Sequence, residues 1–376
     1  MPTEESQKRY ARAQRQIERR AFQLAGQSVQ YVDGKVKSQS VKYVPARDAH
    51  KPLPDHLLKG RSSLLDSEGN VIQRWEIERL DATVQEQAWR AVADELSRDI
   101  FRVAPTPPPD YGFADQLTVV PVGDLHLGMY AWDKEAGADY DLAIGENDIA
   151  QAGRELMLRT RPCETALIAL LGDYLHYDSM VPETPAHHNK LDADTRAQRM
   201  VRVAIRSAVR LIKEALAHHK MVHVIVESGN HDGYSSGWLR ETLAWHFENE
   251  ERVTIDLSPA KFHYFEFGLC LIGTNHGDEV KMEALPLIMA ADRPEAWGRT
   301  KFRYWITGHV HHSQKQMAVL NKDFKNVSVE SFRVIPPEDA WAAGQGHRSI
   351  CDIKALTLSR KWGEVGRVTV NPGMWR

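Results

Sequence analysis

The sequence has 376 residues, 42% hydrophobic and 26% charged, a globular mix that excludes disordered, collagen-like and coiled-coil chains. At roughly 150 residues per domain the length allows about two domains, with enough chain to bury a core around an active site. A net charge of −3 gives no whole-chain excess for nucleic acid or acidic lipid, and the three cysteines (Cys163, Cys270, Cys351) fit a reducing, cytoplasmic compartment better than a disulfide framework or a cysteine zinc site.

The charged N-terminus lacks the apolar stretch of a secretory signal, and no window of 18 apolar residues predicts a membrane span. Charge is unevenly spread. Residues 1–61 hold 13 Lys+Arg against 6 Asp+Glu, a net of +7, so the remaining 315 residues sum to −3 − 7 = −10. Residues 4–24 read as a weakly amphipathic helix, with Arg12, Arg15 and Arg19 on one face. Residues 62–79 read as a hairpin turning at Ser67-Glu68-Gly69-Asn70. Residues 82–103 read as an amphipathic helix with Val84, Ala88, Trp89, Val92, Leu96 and Ile100 on one stripe. Prolines then crowd residues 104–112, which end any helix or central strand. This places an N-terminal accessory region at 1–115 and a main domain at 116–376.

In the main domain one pattern recurs five times. A short apolar run ends, and a Gly/Asp/His/Asn cluster follows: LTVVPV-GDLHLG, TALIALL-GDYLHYD, MVHVIVES-GNHD, LCLIGT-NHGD and FRYWIT-GHVHH. Helical patterns fall at 147–160, about 195–219 and 237–249. Strands alternating with helices predict an α/β fold, in which ligand sites gather at the carboxyl ends of strands. After about 321 the chain reads as β-rich, with a hairpin at Arg360-Lys361-Trp362-Gly363.

The clusters supply Asp124 and His126, then Asp173, then Asn230 and His231, then His276, then His309 and His311. Oxygen and imidazole donors without thiolate suit divalent manganese, iron or zinc. Even if only one of the adjacent Asn230 and His231 is a ligand, seven donors remain. That is too many for one tetrahedral ion, and it suits two ions sharing a bridging carboxylate. Such a pair, about 3.5–4 Å apart, clamps an in-line displacement at phosphorus and lowers the pKa of the attacking water.

The series D-x-H, GD, GNHD, a lone strand-end His and G-H-x-H resembles the calcineurin-like metallophosphoesterases over about residues 116–312. The resemblance implies a four-layered α/β/β/α sandwich and a phosphodiesterase that uses two divalent ions, manganese before iron or zinc, with a bridging hydroxide attacking phosphorus. It implies Asp124, His126 and His311 at one ion, Asn230, His276 and His309 at the other, and Asp173 between them. His231 is the implied general acid, and Asp232 its orienting partner. GDYLHYD departs from the protein phosphatases of the superfamily, and His176 stands where purple acid phosphatases carry a tyrosine ligand. GDLHLG is more similar to bacterial repair nucleases and cyclic-nucleotide phosphodiesterases, and GEVGRVTV resembles phage and prophage metallophosphoesterases. His176, Asp178 and His312 lie outside the motif pattern, and supporting roles are expected for them.

Arg196, Arg199, Arg202, Arg206 and Arg210 share one face of the helix near 195–219, roughly opposite Val201, Ile205, Ala208, Ile212 and Leu216. Such a face is either a track for phosphates or an ordinary solvated surface. Residues 179–194 form either a substrate-gating loop or an insertion. DNA is therefore the expected substrate and nucleic acid the expected partner. A small phosphorylated metabolite or cyclic nucleotide is the alternative, and no membrane partner is expected.

Overall fold

The computed structural model describes residues 22–32, 35–45, 56–65 and 71–80 as backbone strands, and 102–376 apart from 186–187, 310–320, 325 and 345–349. The expected helices at 4–21 and 82–101 and the turn at 67–70 lie outside the described residues. The chain divides into two compact units, Met1–Asp94 and Glu95–Arg376.

The first unit is an antiparallel four-stranded sheet in sequential order: β1 (Phe22–Val32), β2 (Lys35–Pro45), β3 (His56–Leu65) and β4 (Val71–Leu80). The expected hairpin is β3–β4, with Ser62 opposite Trp75. Residues 22–24, expected at the end of a helix, instead begin β1.

In the second unit the Pro-rich stretch is tied to the body. Thr106 donates its N–H and its hydroxyl to Glu250 Oε2, each at 2.8 Å. Then follow β5 (Phe113–Val122), α1 (Asp133–Ala136), α2 (Leu142–Arg159), β6 (Cys163–Leu170), α3 (Ala197–His218), β7 (Met221–Val226), α4 (Ser235–His246) and β8 (Val253–Ile255). Next come β9 (His263–Phe267), β10 (Cys270–Asn275), α5 (Leu285–Asp292), α6 (Pro294–Arg299), β11 (Phe302–Thr307), β12 (Asn321–Phe324), β13 (Val327–Ser331), α7 (Ala340–Gly344), β14 (Ile353–Ser359) and β15 (Gly363–Val370). One sheet has the order β15-β14-β5-β6-β7-β8 and the other β12-β13-β11-β10-β9. Strands β5 to β8 run parallel, as do β10, β11 and β13.

Alternation along the strands builds the layers. On β5, Val120 and Val122 join Ile168, Leu170, Val224 and Val226 against Ile149 and Leu156 of α2 and Ile205, Leu211 and Ile212 of α3. The alternate residues Leu117, Val119, Leu167, Ala169 and Ile225 face the other sheet and meet Ile272 and Ile306. That sheet turns Leu271, Trp305, Val327 and Val329 outward onto Leu285 and Met289 of α5 and Ala296 of α6. A strand buried on both faces must be apolar at every position, which is why the runs read as continuous. The layers are therefore helix, sheet, sheet, helix, the α/β/β/α sandwich that the motifs imply. Among the described residues no helix is long and apolar enough to cross a membrane.

Candidate metal centre

All five apolar runs are strands, and their carboxyl ends meet at one edge of the sandwich. The loop after β5 lies along the loop after β6: His126 N–H donates to the Asp173 carbonyl and Leu127 N–H to the Tyr174 carbonyl, each at 3.0 Å. His309 N–H donates to Asp124 Oδ1 at 3.1 Å, joining the ends of β11 and β5 across the two sheets. His231 N–H donates to Asp173 Oδ1 at 2.7 Å.

The backbone around these side chains is unusual. His126, Asp173 and His309 have φ of 43°, 47° and 62°, in the left-handed region that costs a non-glycine residue about 1–3 kcal/mol and persists only where surrounding structure enforces it. Two glycines make the close packing possible. A β-carbon on Gly229 would collide with the Asp173 carboxylate and amide, and one on Gly172 (φ 90°) would sit 2.7 Å from His276 Nδ1.

Two groups of donors result. Asp124, Asp173, His276 and His309 each offer a ligand atom within 4.8 Å of the others, and so do His126, His176 and His231. These groups cut across the two ligand sets that the resemblance implies. Asn230 joins the first group, its Oδ1 3.0 Å from His276 Nε2. His311 lies outside the described residues. His276 Nδ1 is 2.8 Å from the Leu171 carbonyl, which can only accept, so Nε2 is the nitrogen that faces Asn230 and Asp173.

The electrostatics fit a divalent ion. Asp124 and Asp173 are buried, at 0% and 2% exposure. Burial disfavours a charged His276, yet the hydrogen bond and charge of Asp173 and the charge of Asp124 outweigh it and push the imidazole up to about 10. A pair of buried carboxylates that calls a proton onto a neighbouring imidazole is a place where cationic charge is favoured, and oxygen and imidazole donors suit divalent ions.

Asp232 is fully buried and lies beneath the site. Its Oδ1 accepts the N–H groups of Asp173 (3.1 Å) and Gly229 (2.9 Å), and its Oδ2 those of Tyr174 (2.8 Å) and Leu175 (3.2 Å). Both oxygens are thus engaged with backbone. His231 is oriented by the His176 carbonyl instead, which accepts from its Nδ1 at 2.7 Å. Asp232 therefore differs from the sequence expectation: it clamps two site loops together and does not steer the His231 ring.

Three further residues support the site: His176 and Asp178, for which supporting roles are expected from the sequence, and Glu227, which the sequence does not single out. His176 is 2% exposed, and burial, then the neighbouring His231 ring, drive its pKa down to about 3 against the opposing Asp192 carbonyl. Asp178 accepts the N–H of Tyr234 (2.5 Å) and of Ser235 (2.9 Å), capping α4 from another loop. Glu227, buried at the end of β7, accepts from Thr274 Oγ1 at 2.5 Å and lies 3.8 Å from His263 Nε2. His263 in turn meets Asp256 at 2.9 Å. Burial pushes Glu227 up to about 7, and the network ties β7 to β9 and β10 behind Asn230 and His276. An exposed Asp/Glu is common, so only the folded context distinguishes these carboxylates.

The arginine face is as expected from its spacing. Arg196, Arg199, Arg202, Arg206 and Arg210 lie along the outer side of α3, while Ile205, Ala208, Ile212 and Leu216 are buried. Arg206 is paired through two nitrogens with Glu146 of α2, at 2.5 and 2.6 Å. The described residues of the segment 179–194 form no helix or strand and meet the loop after β5, Tyr130 N–H donating to the Asp192 carbonyl at 3.0 Å.

No protein-family model matches the chain, and no curated protein does. Thirteen chains of solved structure match it. One is a conserved uncharacterized protein, a predicted phosphoesterase, from Streptococcus pneumoniae, at 10% identity and TM-score 0.28, over 68% of this chain and 98% of that one. Another is a single mutant of Vps29 from Entamoeba histolytica, at 13% identity and TM-score 0.27, over 68% and 99%. A third is a 5′-nucleotidase precursor from Thermus thermophilus, at 10% identity and TM-score 0.33, over 68% and 54%. At such scores the fold assignment rests on the layers described above and not on these neighbours.

Proposed function

We propose that the protein is a metal-dependent phosphoesterase that cleaves phosphodiesters, with DNA as its substrate. The carrying observation is the meeting of Asp124, Asp173, His276 and His309 within 4.8 Å, with His126, Asn230 and His231 beside them. In this reading Asp124, Asp173, His276 and His309, with His126, Asn230 and His311, would hold two divalent ions, manganese first. When bound, the ions supply Lewis-acid charge against the phosphoryl oxygens. His231 Nδ1 is held by the His176 carbonyl, which leaves Nε2 to give a proton to the leaving oxygen. Asp232 keeps the Asp173 and Gly229 loops in register so that this nitrogen and the carboxylate stay together.

Support for DNA comes from the arginine face of α3 and the basic charge of residues 1–61. Each phosphate neutralised on duplex DNA adds about 0.9 to the slope of log affinity against log salt. A panel of purified protein with manganese, a diester reporter, a monoester reporter, cyclic nucleotides and single- and double-stranded DNA tests the reading. Cleavage of DNA that weakens steeply with salt is expected, and Arg199→Ala with Arg202→Ala should flatten the slope. Hydrolysis of small esters with no DNA affinity at low salt would replace DNA with a phosphorylated metabolite or cyclic nucleotide. The Arg206–Glu146 pair favours that second reading, because it removes one arginine from the track.

A further inference from the structure

Past His126 the loop after β5 becomes a short extended stretch held on both sides. Met129 bridges to Ala193 and Ala131 to Tyr140. Tyr130 N–H donates to the Asp192 carbonyl at 3.0 Å, and Ala131 and Tyr140 each donate an N–H to the other's carbonyl at 2.9 Å. Side chains alternate along extended chain. Met129 and Ala131 are buried with Tyr140, so Tyr130 and Trp132 stand together on the other side, 46% and 47% exposed. Two residues of extended chain set their α-carbons about 6.5–7 Å apart. Rings on backbone fixed in this way lose little freedom when a partner stacks on them. The loop after β7 also exposes aromatic rings: Tyr234, three residues after His231, meets Trp238 edge-on with centroids 6.4 Å apart. The stretch borders the arginine face as well. Asp194 N–H donates to the Gly128 carbonyl at 3.3 Å, and a β-carbon on Gly128 would sit 2.7 Å from Met200 Sδ in the first turn of α3. Arg196 and Arg199 are exposed at that same end of the helix.

We propose that Tyr130 and Trp132 form a stacking platform for unpaired bases, and that the strand held there is single-stranded DNA with its phosphates on Arg196 and Arg199. This rests on the DNA reading and narrows it. A base inside a duplex is covered by its neighbours on both faces, whereas a base in a single strand offers its faces to a protein ring. Aromatic rings beside a cationic track hold such strands without reading their sequence. The arginines alone do not make this distinction, because they attract the phosphates of either form. Trp132 follows His126 by six residues, a reach of at most about 20 Å, so the bases on the platform are those flanking the bond that is cut. Two rings in line, continued by a line of arginines, fit a strand and not a lone nucleotide.

The test measures binding by the full chain in the presence of manganese, in a His231→Ala background so that the strand survives the measurement. The probes are oligo(dT), an abasic strand of the same length, a duplex of that length, and thymidine monophosphate. Stacking on an aromatic ring is worth roughly fivefold to a hundredfold in affinity per base. Oligo(dT) should bind about tenfold or more tighter than the abasic strand, and Tyr130→Ala with Trp132→Ala should remove that margin while leaving duplex affinity unchanged. The salt slope should stay as it was, because stacking neutralises no phosphate. Tyr130→Phe with Trp132→Phe should keep the margin. An alanine pair that binds oligo(dT) as tightly as its parent, or a phenylalanine pair as weak as the alanine pair, would overturn the platform and leave the DNA reading standing. Thymidine monophosphate bound as tightly as oligo(dT) would overturn the strand as occupant. Should the alanine pair not fold, Trp132→Leu decides: a reduced margin over the abasic strand supports the platform, and an undiminished one overturns it. A parent protein with no affinity for any of the DNA probes at low salt would overturn both readings.

Discussion

Replacing Asp232 by Asn tests whether this carboxylate is a backbone clamp. The change keeps shape and one acceptor oxygen and turns the other oxygen into a donor. Two of the four backbone N–H groups that it now accepts would then face N–H. Either Asp173 and Gly229 lose their acceptor, or Tyr174 and Leu175 do. A buried donor left unsatisfied costs about 1–3 kcal/mol, so the pair costs about 2–6 kcal/mol. Part of this is offset, because burial and then the neighbouring Asp173 push the Asp232 carboxyl well above its ordinary range and the neutral amide escapes that repulsion. A net loss of about 2 kcal/mol or more in metal-free urea unfolding is expected, together with weaker uptake of ions at Asp173, whose backbone the clamp holds. If Asp232 instead oriented His231, the variant would keep its stability and its ions and lose only turnover. An unfolding free energy within about 0.5 kcal/mol of wild type with full metal stoichiometry would refute the clamp.

Asp173→Asn should leave the protein without both ions by elemental analysis, and retention of either one would contradict a shared carboxylate. His231→Ala should keep its ions and lose roughly 10²–10⁴-fold in rate on esters with poor leaving groups. The loss should be much smaller on a nitrophenyl ester, and equal losses on both would exclude proton donation. Glu227→Gln should flatten the pH dependence of stability. Glu227 titrates near 7 when folded and near its usual 4.5 when unfolded, so the folded state binds the extra proton between these values. Stability is therefore full below about pH 4.5 and falls as pH rises to 7, by about 3 kcal/mol over that window. Unfolding curves of wild type and variant that stay parallel from about pH 4.5 to 7 would show that Glu227 does not titrate this way.

The legible parts of this chain are those where chemistry and periodicity coincide. LTVVPV, TALIALL and MVHVIV are close to continuously apolar because both faces of their sheet are covered, and the polar residues after them mark where the strands leave the core. The helix α3 is legible from its two opposed stripes. The helices α5 and α6 are not, because Pro286 and Pro294 read as breakers although each sits in the first turn of a helix, where its missing N–H has no partner to lose. Strand β8 is three residues long and carries no period. At the site, residue types and spacing single out the donors, but not which of them become neighbours. Position beside His231 points Asp232 at that ring, whereas its oxygens turn the other way, to the amides of a loop 58 residues earlier. The motif places His176 beside the site, but only the fold shows that its ring turns toward His126.

Asp124 and His309 touch across 185 positions of sequence. During synthesis at about 5–20 residues per second, roughly 10–40 s separate the making of the first from the making of the second. No nascent fragment that stops short of His309 can hold the assembled centre. The sheet of β5, β6 and β7 has the sequence to pair in that interval, but its two acidic loops must wait for the second sheet. On the proposed function, metal capture is thus a late event that waits for synthesis past β11. A ribosome stalled before β11 would display the carboxylates without the histidine that brackets them.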